Sequence, residues 1–228
     1  MTTRTKPVIA IDGPAGAGKS TISRLLAHRL GYVLVDTGAL YRGLALLAKK
    51  EDVSWDDEAT LAQLCRDTKF HFEPGEDGRS RLFIDDRDRS DAIRTQSISD
   101  GASRVSRHPS VRGALLTLQR HLGANGAVVM EGRDIGTVVF PDAEVKVFLT
   151  AAPEVRAKRR VEELEHMGQQ VDFEDVLDTI RDRDRRDSMR AVAPLVPARD
   201  AILVDTSDLS IDQAVERLEQ IVRERFPA

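Results

Sequence analysis

One eight-residue segment constrains the fold of this chain more than any other feature of its sequence. It fits the pattern G-x-x-x-x-G-K-[ST] and consists of Gly13, Pro14, Ala15, Gly16, Ala17, Gly18, Lys19 and Ser20. An apolar run at Val8–Ile11 precedes the segment, and an amphipathic pattern at Ser20–Leu30 follows it. This order predicts a strand, a glycine-rich loop and a helix whose first amides point into the loop.

The glycine-rich loop predicts a site for the phosphates of a nucleoside triphosphate. Glycine lets the backbone curl so that its N–H groups face inward, and the helix N-terminus favours an anion. We expect the Lys19 side chain to reach the β- and γ-phosphates and the Ser20 hydroxyl to face Mg²⁺. Thr21 is expected to contact the α-phosphate. The alternative, a turn with a solvated lysine, agrees poorly with the flanking strand and helix.

Five short apolar runs rich in β-branched residues predict the strands of a parallel sheet. They do not alternate with polar residues, as expected of strands that are buried on both faces. The runs are Val8–Ile11, Tyr32–Val35, Ala127–Met130, Val145–Leu149 and Ala201–Val204. Helical patterns occur at Ser20–Leu30, Leu40–Lys49, Val111–Leu122 and Ile211–Arg225. The alternation of strands with helices predicts βαβ units and a three-layer α/β sandwich.

Two segments depart from this alternation. Between about Lys69 and Ser90, two stretches of alternating residues flank the turn sequence Pro74–Gly78. They predict a small antiparallel insertion outside the parallel core. The highly charged segment Pro153–Arg190 predicts helix, interrupted at Gly168.

The balance of acidic and basic residues limits the kinds of molecule that the protein is expected to bind. The 228 residues include 34 Lys and Arg against 38 Asp and Glu, which gives a net charge of −4. This balance argues against a general nucleic-acid coat or a basic membrane-surface protein. Only seven of the basic residues are Lys and 27 are Arg. That bias is consistent either with carboxylate or phosphate recognition or with genomic composition.

The remaining composition points to a soluble protein of the cytoplasm. Cys65 is the only cysteine, so an intrachain disulfide is impossible. The segment Met1–Lys6 is polar and lacks the apolar stretch of a signal peptide. The sequence contains no uninterrupted apolar run of the ~18 residues needed to span a membrane.

The loop by itself does not identify the reaction. A GTPase would need N-K-x-D and D-x-x-G motifs, and the sequence contains neither. A motor or helicase would need an apolar strand that ends in an acidic residue, and Glu131 and Asp205 leave this alternative open. A small kinase is the simplest remaining class. It would need a second pocket, rich in arginine, for the phosphoryl acceptor.

The segment Asp36–Arg42 supplies one such arginine. It follows the second predicted strand and therefore lies at the carboxyl edge of the sheet, where open α/β folds bind ligands. Arg42 would meet the acceptor beside the Tyr41 ring. The alternative is a solvated arginine on a helix that is capped by Asp36 or Thr37.

The segment Glu131–Gly136 supplies a second such arginine, Arg133, at the end of the third predicted strand. Two glycines bracket the adjacent Arg133 and Asp134, which suits close approach of the backbone to a ligand. The pair would offer a cation to a phosphate and an anion to a base amine. The alternative is a turn with an internal Arg133–Asp134 salt bridge.

The segment Arg181–Arg190 predicts the end of a helix that serves as a lid. Arg183, Asp187 and Arg190 are spaced i, i+4, i+7 and would share one face. A lid over a triphosphate needs loosely held arginines that become ordered when the charge arrives, and its closure excludes water. The arginines that would join this lid are Arg156, Arg159 and Arg160. The alternative is a solvated helix with exposed ion pairs.

In several of these segments, the chain resembles the bacterial cytidylate kinase family. The matching segments are Ile11–Ser20, Asp36–Arg42, Ile93–Arg94, Glu131–Pro141 and Arg183–Leu195. The likeness extends from about Val8 to Val204. The P-loop is shared by very many families, whereas the Glu131–Pro141 block beside it is specific.

The resemblance implies a nucleoside-monophosphate-kinase fold and its reaction. The fold would be one P-loop kinase domain over residues 1–228: a five-stranded parallel sheet flanked by helices, with a small antiparallel β insertion and a short helical lid. The CMP-binding insertion would cover about 69–105, and the lid about 153–190. The reaction would be transfer of the ATP γ-phosphoryl group to CMP or dCMP, with Mg²⁺. We expect a monomer without nucleic-acid or membrane partners.

The resemblance also implies the roles of individual residues. The set that reads cytosine would be Ser103, Arg112 and Asp134. The sugar would meet Asp187 and Arg183. The clamp on the acceptor phosphate would be Arg42, Arg133 and Arg190. The same pocket would be lined by Thr37 and Tyr41. The catalytic residues would be Lys19, Arg133, Arg183 and Arg190. Together with the glycine-rich loop, the residues that bind ATP would include Thr21, Arg156 and Arg159.

Two other functions remain as alternatives. One is a P-loop kinase for another small acceptor, such as a different nucleoside monophosphate or shikimate. The other is a nucleotide-dependent regulatory or RNA-binding module. The acidic balance and the aromatic content of 4% argue against the second, because it would need a basic groove or stacking platforms.

Overall fold

A five-stranded parallel sheet forms the centre of the protein. The structure is a computed structural model that describes residues 4–75, 78–166 and 168–227. The strand order is β2-β6-β1-β7-β8, and every neighbouring pair is parallel. The bounds of these strands are β1 Val8–Asp12, β2 Val33–Asp36, β6 Val128–Gly132, β7 Val145–Thr150 and β8 Ile202–Asp205. The five strands predicted from the apolar runs are confirmed.

Helices cover both faces of this sheet. The α-helices of the described residues are α1 Lys19–Leu30, α2 Thr37–Lys50, α3 Glu58–Asp67, α4 Gln96–Val105, α5 Pro109–Gly123, α6 Pro153–His166, α7 Phe173–Met189 and α8 Ile211–Arg225. On one face, Ile9 and Ile11 of β1 share a core with residues of α1 and α8. On the other, Val8 and Ala10 share a core with Phe140 and residues of α5. The predicted three-layer α/β architecture is therefore confirmed.

A second, antiparallel sheet forms the predicted insertion. Its strands run in the order β3-β4-β5. Their bounds are β3 Phe70–Pro74, β4 Ser80–Ile84 and β5 Arg87–Asp88. The short β5 was not predicted, and Glu76 and Asp77 of the predicted turn lie outside the described residues. The sheet packs closely on α2, since a Cβ added at Gly43 would lie 2.9 Å from the Leu82 side chain.

Helix α2 begins earlier than its hydrophobic pattern indicates. The prediction places its start at Leu40, whereas the helix starts at Thr37. The cause is an N-cap: the Asp36 carboxylate accepts the N–H of Ala39 at 3.1 Å and satisfies an amide of the first turn. Arg42 is consequently in the second turn of α2.

Some elements have no counterpart in the prediction. Helices α3 and α4 precede and follow the small sheet, and a 3-10 turn occupies Ala92–Arg94. A π-helical turn, Ile135–Val139, follows β6 after two residues. Its five residues are too short to show a periodic pattern, and π-helical turns are rare and often lie at functional sites.

Helices α6 and α7 occupy the segment for which the sequence predicts a lid, and these two helices are called the lid below. They pack on each other through a small apolar core that includes Ala157, Leu177 and Ile180. The predicted interruption is confirmed at Gly168, whose φ of +77° lies in the left-handed region that glycine adopts easily. Helix α7 ends at Met189, so Arg190 follows the helix with extended backbone. The expectation that Arg183, Asp187 and Arg190 share one helical face is therefore wrong for Arg190.

Two further observations bear on the expected class of protein. Cys65 is a buried free thiol on α3. None of the helices in the described part of the chain has both the length and the apolar character required to cross a bilayer.

Candidate active site

The P-loop is a tight turn between β1 and α1. Gly13 has φ +148°, and a Cβ there would lie 2.0 Å from the carbonyl oxygen of Leu149, so only glycine fits. Gly16 and Gly18 have φ values of +77° and +83°, and α1 starts directly after Gly18. The segment Gly13–Ser20 thus has the strand–loop–helix geometry that its sequence predicts.

Lys19 is buried at the base of this loop. Its Nζ donates to the carbonyl oxygen of Pro14 at 2.7 Å. Burial, with a further contribution from the Arg133 guanidinium, lowers the pKa of Lys19 to about 7. Nearby Glu131 opposes this shift. The ammonium group therefore lies where a polyanion would strongly favour its charged form.

Glu131 is the functional candidate that sequence reasoning left without a role. It is buried at the end of β6 and accepts the Ser20 hydroxyl at 3.0 Å through Oε2. Burial, reinforced by the neighbouring Asp36, raises the pKa of Glu131 to about 7. Among the described residues no hydrogen-bond partner exists for its Oε1. The signal in the sequence was its place at the carboxyl end of an apolar strand, which the sequence analysis connects only with a motor or helicase.

Arg133 extends from the end of β6 to the lid. Its Nε donates to the Asp187 carboxylate on α7 at 3.0 Å. Burial opposes the ionisation of Asp187, but the guanidinium groups of Arg133 and Arg183 lower its pKa. Arg133 and Asp134 therefore do not form the internal bridge that was the alternative to a ligand role, since each pairs with a distant partner.

Arg183 carries a donor that the protein itself does not satisfy. The Nε of Arg183 is buried and has no hydrogen-bond acceptor among the residues the structure describes. Desolvation, together with the positive charge of Arg133, lowers the pKa of Arg183 to about 10. Two guanidinium groups thus face the same region of the sheet edge.

Asp134 lies between two more arginines. It forms ion pairs with Arg112 of α5 and, at 3.5 Å, with Arg190. Arg112 also lies over the Tyr41 ring, 5.5 Å from its centroid. The Arg190 atom in this ion pair, Nη2, is buried and makes no hydrogen bond in the described part of the chain. A cavity of about 200 Å³ borders Tyr41, Arg112 and Asp134.

The segment after β2 contributes a fifth arginine, Arg42, to the sheet edge. Arg42 donates to the Asp36 carboxylate at 2.6 Å, and the pair is about three-quarters buried. Burial opposes the ionisation of Asp36, but Arg42 holds its pKa below the usual value. Thr37 is buried and donates its hydroxyl to the Glu131 carbonyl oxygen at 2.8 Å. The second predicted motif is thereby joined to the end of β6.

The arginines of α6 are tightly held in this structure. Arg156 is buried and makes a two-pronged contact with Asp184 of α7, at 3.0 and 2.6 Å. It also donates to the carbonyl oxygen of Ala15 in the P-loop at 3.1 Å. Arg159 donates to the Thr206 carbonyl oxygen at 2.6 Å. The expectation of loosely held lid arginines is therefore wrong for Arg156, because its donors brace the lid against the loop.

The lid also reaches the helix that follows the small sheet. Arg160 donates to the Gln96 side chain of α4 at 3.2 Å. Ser103, on the same helix, is buried, and α4 packs on α2. Thr21 is exposed on α1 just beyond the loop. No described contact links the side chains of Ser103 or Thr21 to Arg42, Arg112, Arg133, Arg183 or Arg190.

The structure thus joins nine of the predicted site residues into one charged cluster. Side-chain contacts and charge interactions link the P-loop, the end of β6, α2, α5 and the lid. The members are Lys19, Tyr41, Arg42, Arg112, Arg133, Asp134, Arg183, Asp187 and Arg190. Chemically, such a cluster stabilises negative charge next to a phosphate-binding loop.

Comparison of the sequence with known proteins identifies one family that it matches. The family model described as cytidylate kinase matches residues 9–224. Over 218 residues, the chain is 50% identical to the cytidylate kinase of Syntrophotalea carbinolica, covering 96% of this chain and 92% of that protein. It is 49% identical to the cytidylate kinase of Geobacter sulfurreducens, covering 96% and 93%.

A solved structure shares the fold. It is that of an uncharacterized protein from Eubacterium ventriosum, with a TM-score of 0.52 and 14% sequence identity. The superposition covers 96% of this chain and all of that chain. At this level of identity the similarity concerns the fold alone.

Proposed function

The chain belongs to the cytidylate kinase family, and from this premise we propose that its sheet edge transfers the γ-phosphoryl group of ATP to CMP or dCMP. The products are ADP and CDP or dCDP. One observation carries the assignment of the site: the buried Nε of Arg183, whose positive charge acts on the P-loop residue Lys19, has no acceptor among the described residues. Such a donor is suited to an anionic group placed between the two substrates.

The P-loop holds the triphosphate in this proposal. Its inward-facing amides contact the phosphate oxygens, and Lys19 exchanges the Pro14 carbonyl for the β- and γ-phosphates. Thr21 contacts the α-phosphate. Arg159, which lies on α6 beside the loop, reaches the nucleoside side of ATP. Arg156 supports the same site by bracing the loop against the lid.

The arginines hold the acceptor phosphate. Arg42, Arg133 and Arg190 converge from α2, the end of β6 and the segment after α7. Arg183 adds charge at the transferring group. Phosphoryl transfer requires little covalent chemistry from the protein. Alignment of the two substrates and neutralisation of their charge therefore supply most of the rate acceleration.

Asp134, Arg112 and Ser103 discriminate the base. Cytosine carries an exocyclic amine where uracil carries a carbonyl oxygen, and the Asp134 carboxylate can only accept. A site that pairs one polar group rejects the analogue lacking it, because its own buried group is then left unpaired. Asp187 contacts the sugar, while Tyr41 and Thr37 line the pocket.

The residues around Ser20 fit a magnesium ion that accompanies ATP. The Ser20 hydroxyl lies 3.0 Å from Glu131, whose other oxygen is a buried acceptor without a partner in the described residues. The Asp36 carboxylate is close enough to raise the pKa of Glu131. Mg²⁺ is usually held by one or two protein oxygens plus phosphates and water. When bound, it would neutralise charge on the β- and γ-phosphates.

A coupled assay tests the proposed reaction. ADP release is followed with ATP and Mg²⁺ against a panel of CMP, dCMP, UMP, AMP and shikimate, each at several concentrations. We expect the highest kcat/KM for CMP or dCMP. Equal or greater activity with AMP or shikimate would overturn the assignment and favour a kinase for another small acceptor.

A further inference from the structure

Asp12 is a buried carboxylate that has no part in the proposed reaction. It ends β1 directly before Gly13 and is 4% exposed. Its Oδ1 accepts the N–H of Ile135 at 2.8 Å, and its Oδ2 accepts the N–H of Gly136 at 2.8 Å. Burial raises the pKa of Asp12 to about 6, and these two N–H donors oppose that shift. Both oxygens are therefore committed to one short stretch of backbone, 123 residues further along the chain.

That stretch is the π-helical turn Ile135–Val139. Its other end is held from α5, where the Arg120 guanidinium donates to the carbonyl oxygens of Val138 and Val139, both at 3.0 Å. Asp12 and Arg120 thus satisfy backbone groups at opposite ends of the same turn. Arg133 and Asp134, which precede the turn directly, are connected to it without any intervening flexible residue.

We propose that Asp12 is a positioning residue for the acceptor site, acting through the π-helical turn on Arg133 and Asp134. The inference rests on the proposed function in assigning those two residues to CMP. Buried N–H groups that lose their acceptor must find another or move, and a displacement of about 1 Å at a reacting group can cost about 100-fold in rate. The P-loop backbone has a further restraint of its own, because Gly13 approaches Leu149 so closely that a Cβ would lie 2.0 Å from its carbonyl oxygen. The Asp12 charge also acts on Lys19, so the KM for ATP is measured beside the KM for CMP.

The sharpest variant is Asp12→Asn. It retains the shape of the side chain and one acceptor oxygen, but it turns an NH₂ group toward the second backbone N–H. One charge-assisted bond is lost and two donors face each other. We expect the KM for CMP to rise at least about 10-fold while the KM for ATP stays within about 2-fold. The exposed helix cap variant Asp57→Asn, which alters an Asp-to-amide contact on α3, serves as the matched control.

A second variant guards against failure of Asp12→Asn to fold. Arg120→Met removes the two hydrogen bonds at the other end of the turn, from a residue that is exposed and easily replaced. We expect a rise of at least about 3-fold in the KM for CMP and none in the KM for ATP. The control is Arg223→Met, because Arg223 pairs only within α8 in the described structure.

Amide hydrogen exchange separates this inference from the proposed function. In Asp12→Asn, peptides that contain Ile135 and Gly136 should exchange at least about 10-fold faster, and P-loop peptides should be unchanged. The hydrogen-exchange measurement does not depend on the identity of the acceptor. If the wild type preferred another acceptor, only the proposed function would be refuted. Unchanged exchange at the π-helical turn, or equal rises in both KM values, would overturn the positioning role. So would an unchanged KM for CMP in folded Arg120→Met.

Discussion

Replacing Arg133 with Met is the perturbation that tests the charged cluster most directly. Arg133 contacts Asp187 at 3.0 Å and interacts with the charges of Lys19 and Arg183, so it lies between the P-loop and the lid. Loss of one preorganised donor at developing charge costs about 10²–10³-fold in kcat, or about 2.7–4 kcal/mol. The same loss is expected here, because the remaining arginines cannot occupy its position at the end of β6.

The cost to stability should be smaller than the cost to turnover. Asp187 loses a hydrogen bond to a charged donor, worth about 1.5–3 kcal/mol, but it keeps the positive charge of Arg183 and Arg190 nearby. The variant should therefore fold, and its free energy of unfolding should fall by no more than about 3 kcal/mol. This separation lets a loss of activity be read as a loss of transition-state stabilisation.

The assay is steady-state turnover at saturating ATP and CMP, with urea unfolding measured on the same preparations. Arg133→Lys retains the charge but not the planar fork, and we expect it to recover only part of the loss. Arg186→Met, at an exposed position of α7, is the matched control and should retain wild-type turnover. If Arg133→Met turns over within about 3-fold of the wild type, the charge-neutralising role is refuted.

Three further outcomes are expected. Arg112→Met should lower the ratio of kcat/KM for CMP over UMP by at least about 10-fold, because Asp134 loses a partner that orients it; an unchanged ratio would remove Arg112 from base discrimination. Asp184→Asn should lower the free energy of unfolding by about 1–3 kcal/mol, since the buried Arg156 loses a charged acceptor; an unchanged urea midpoint would contradict this. Burial raises the pKa of Cys65 to about 11, so native protein at pH 8 should react with iodoacetamide at least about 100-fold more slowly than unfolded chain, and rapid labelling would show that the thiol is accessible.

Local patterns were sufficient to predict the parallel core. Strands buried on both faces appear as continuous apolar runs, and the P-loop imposes the strand–loop–helix order around Gly13. The start of α2 follows from the N-cap residue, and Asp36 was one of the two caps that the sequence offered. The hydrophobic pattern alone placed that start three residues too late.

The missed features depend on contacts between distant parts of the chain. The π-helical turn is held by Asp12 and Arg120, which no local window connects to it. Arg133 and Asp134 are neighbours in sequence, yet they pair with residues 54 and 22 positions away. Ser103 shows the limit most plainly, since only the family resemblance distinguishes it from an ordinary helical serine.

A crystal structure of the protein with CMP bound tests the central claim most directly. The decisive quantity is the distance from the exocyclic amine of cytosine to the Asp134 carboxylate. We predict a hydrogen bond of about 3 Å, with the CMP phosphate between Arg42, Arg133 and Arg190. A base amine directed to solvent, or a phosphate that contacts none of these arginines, would contradict the proposed site.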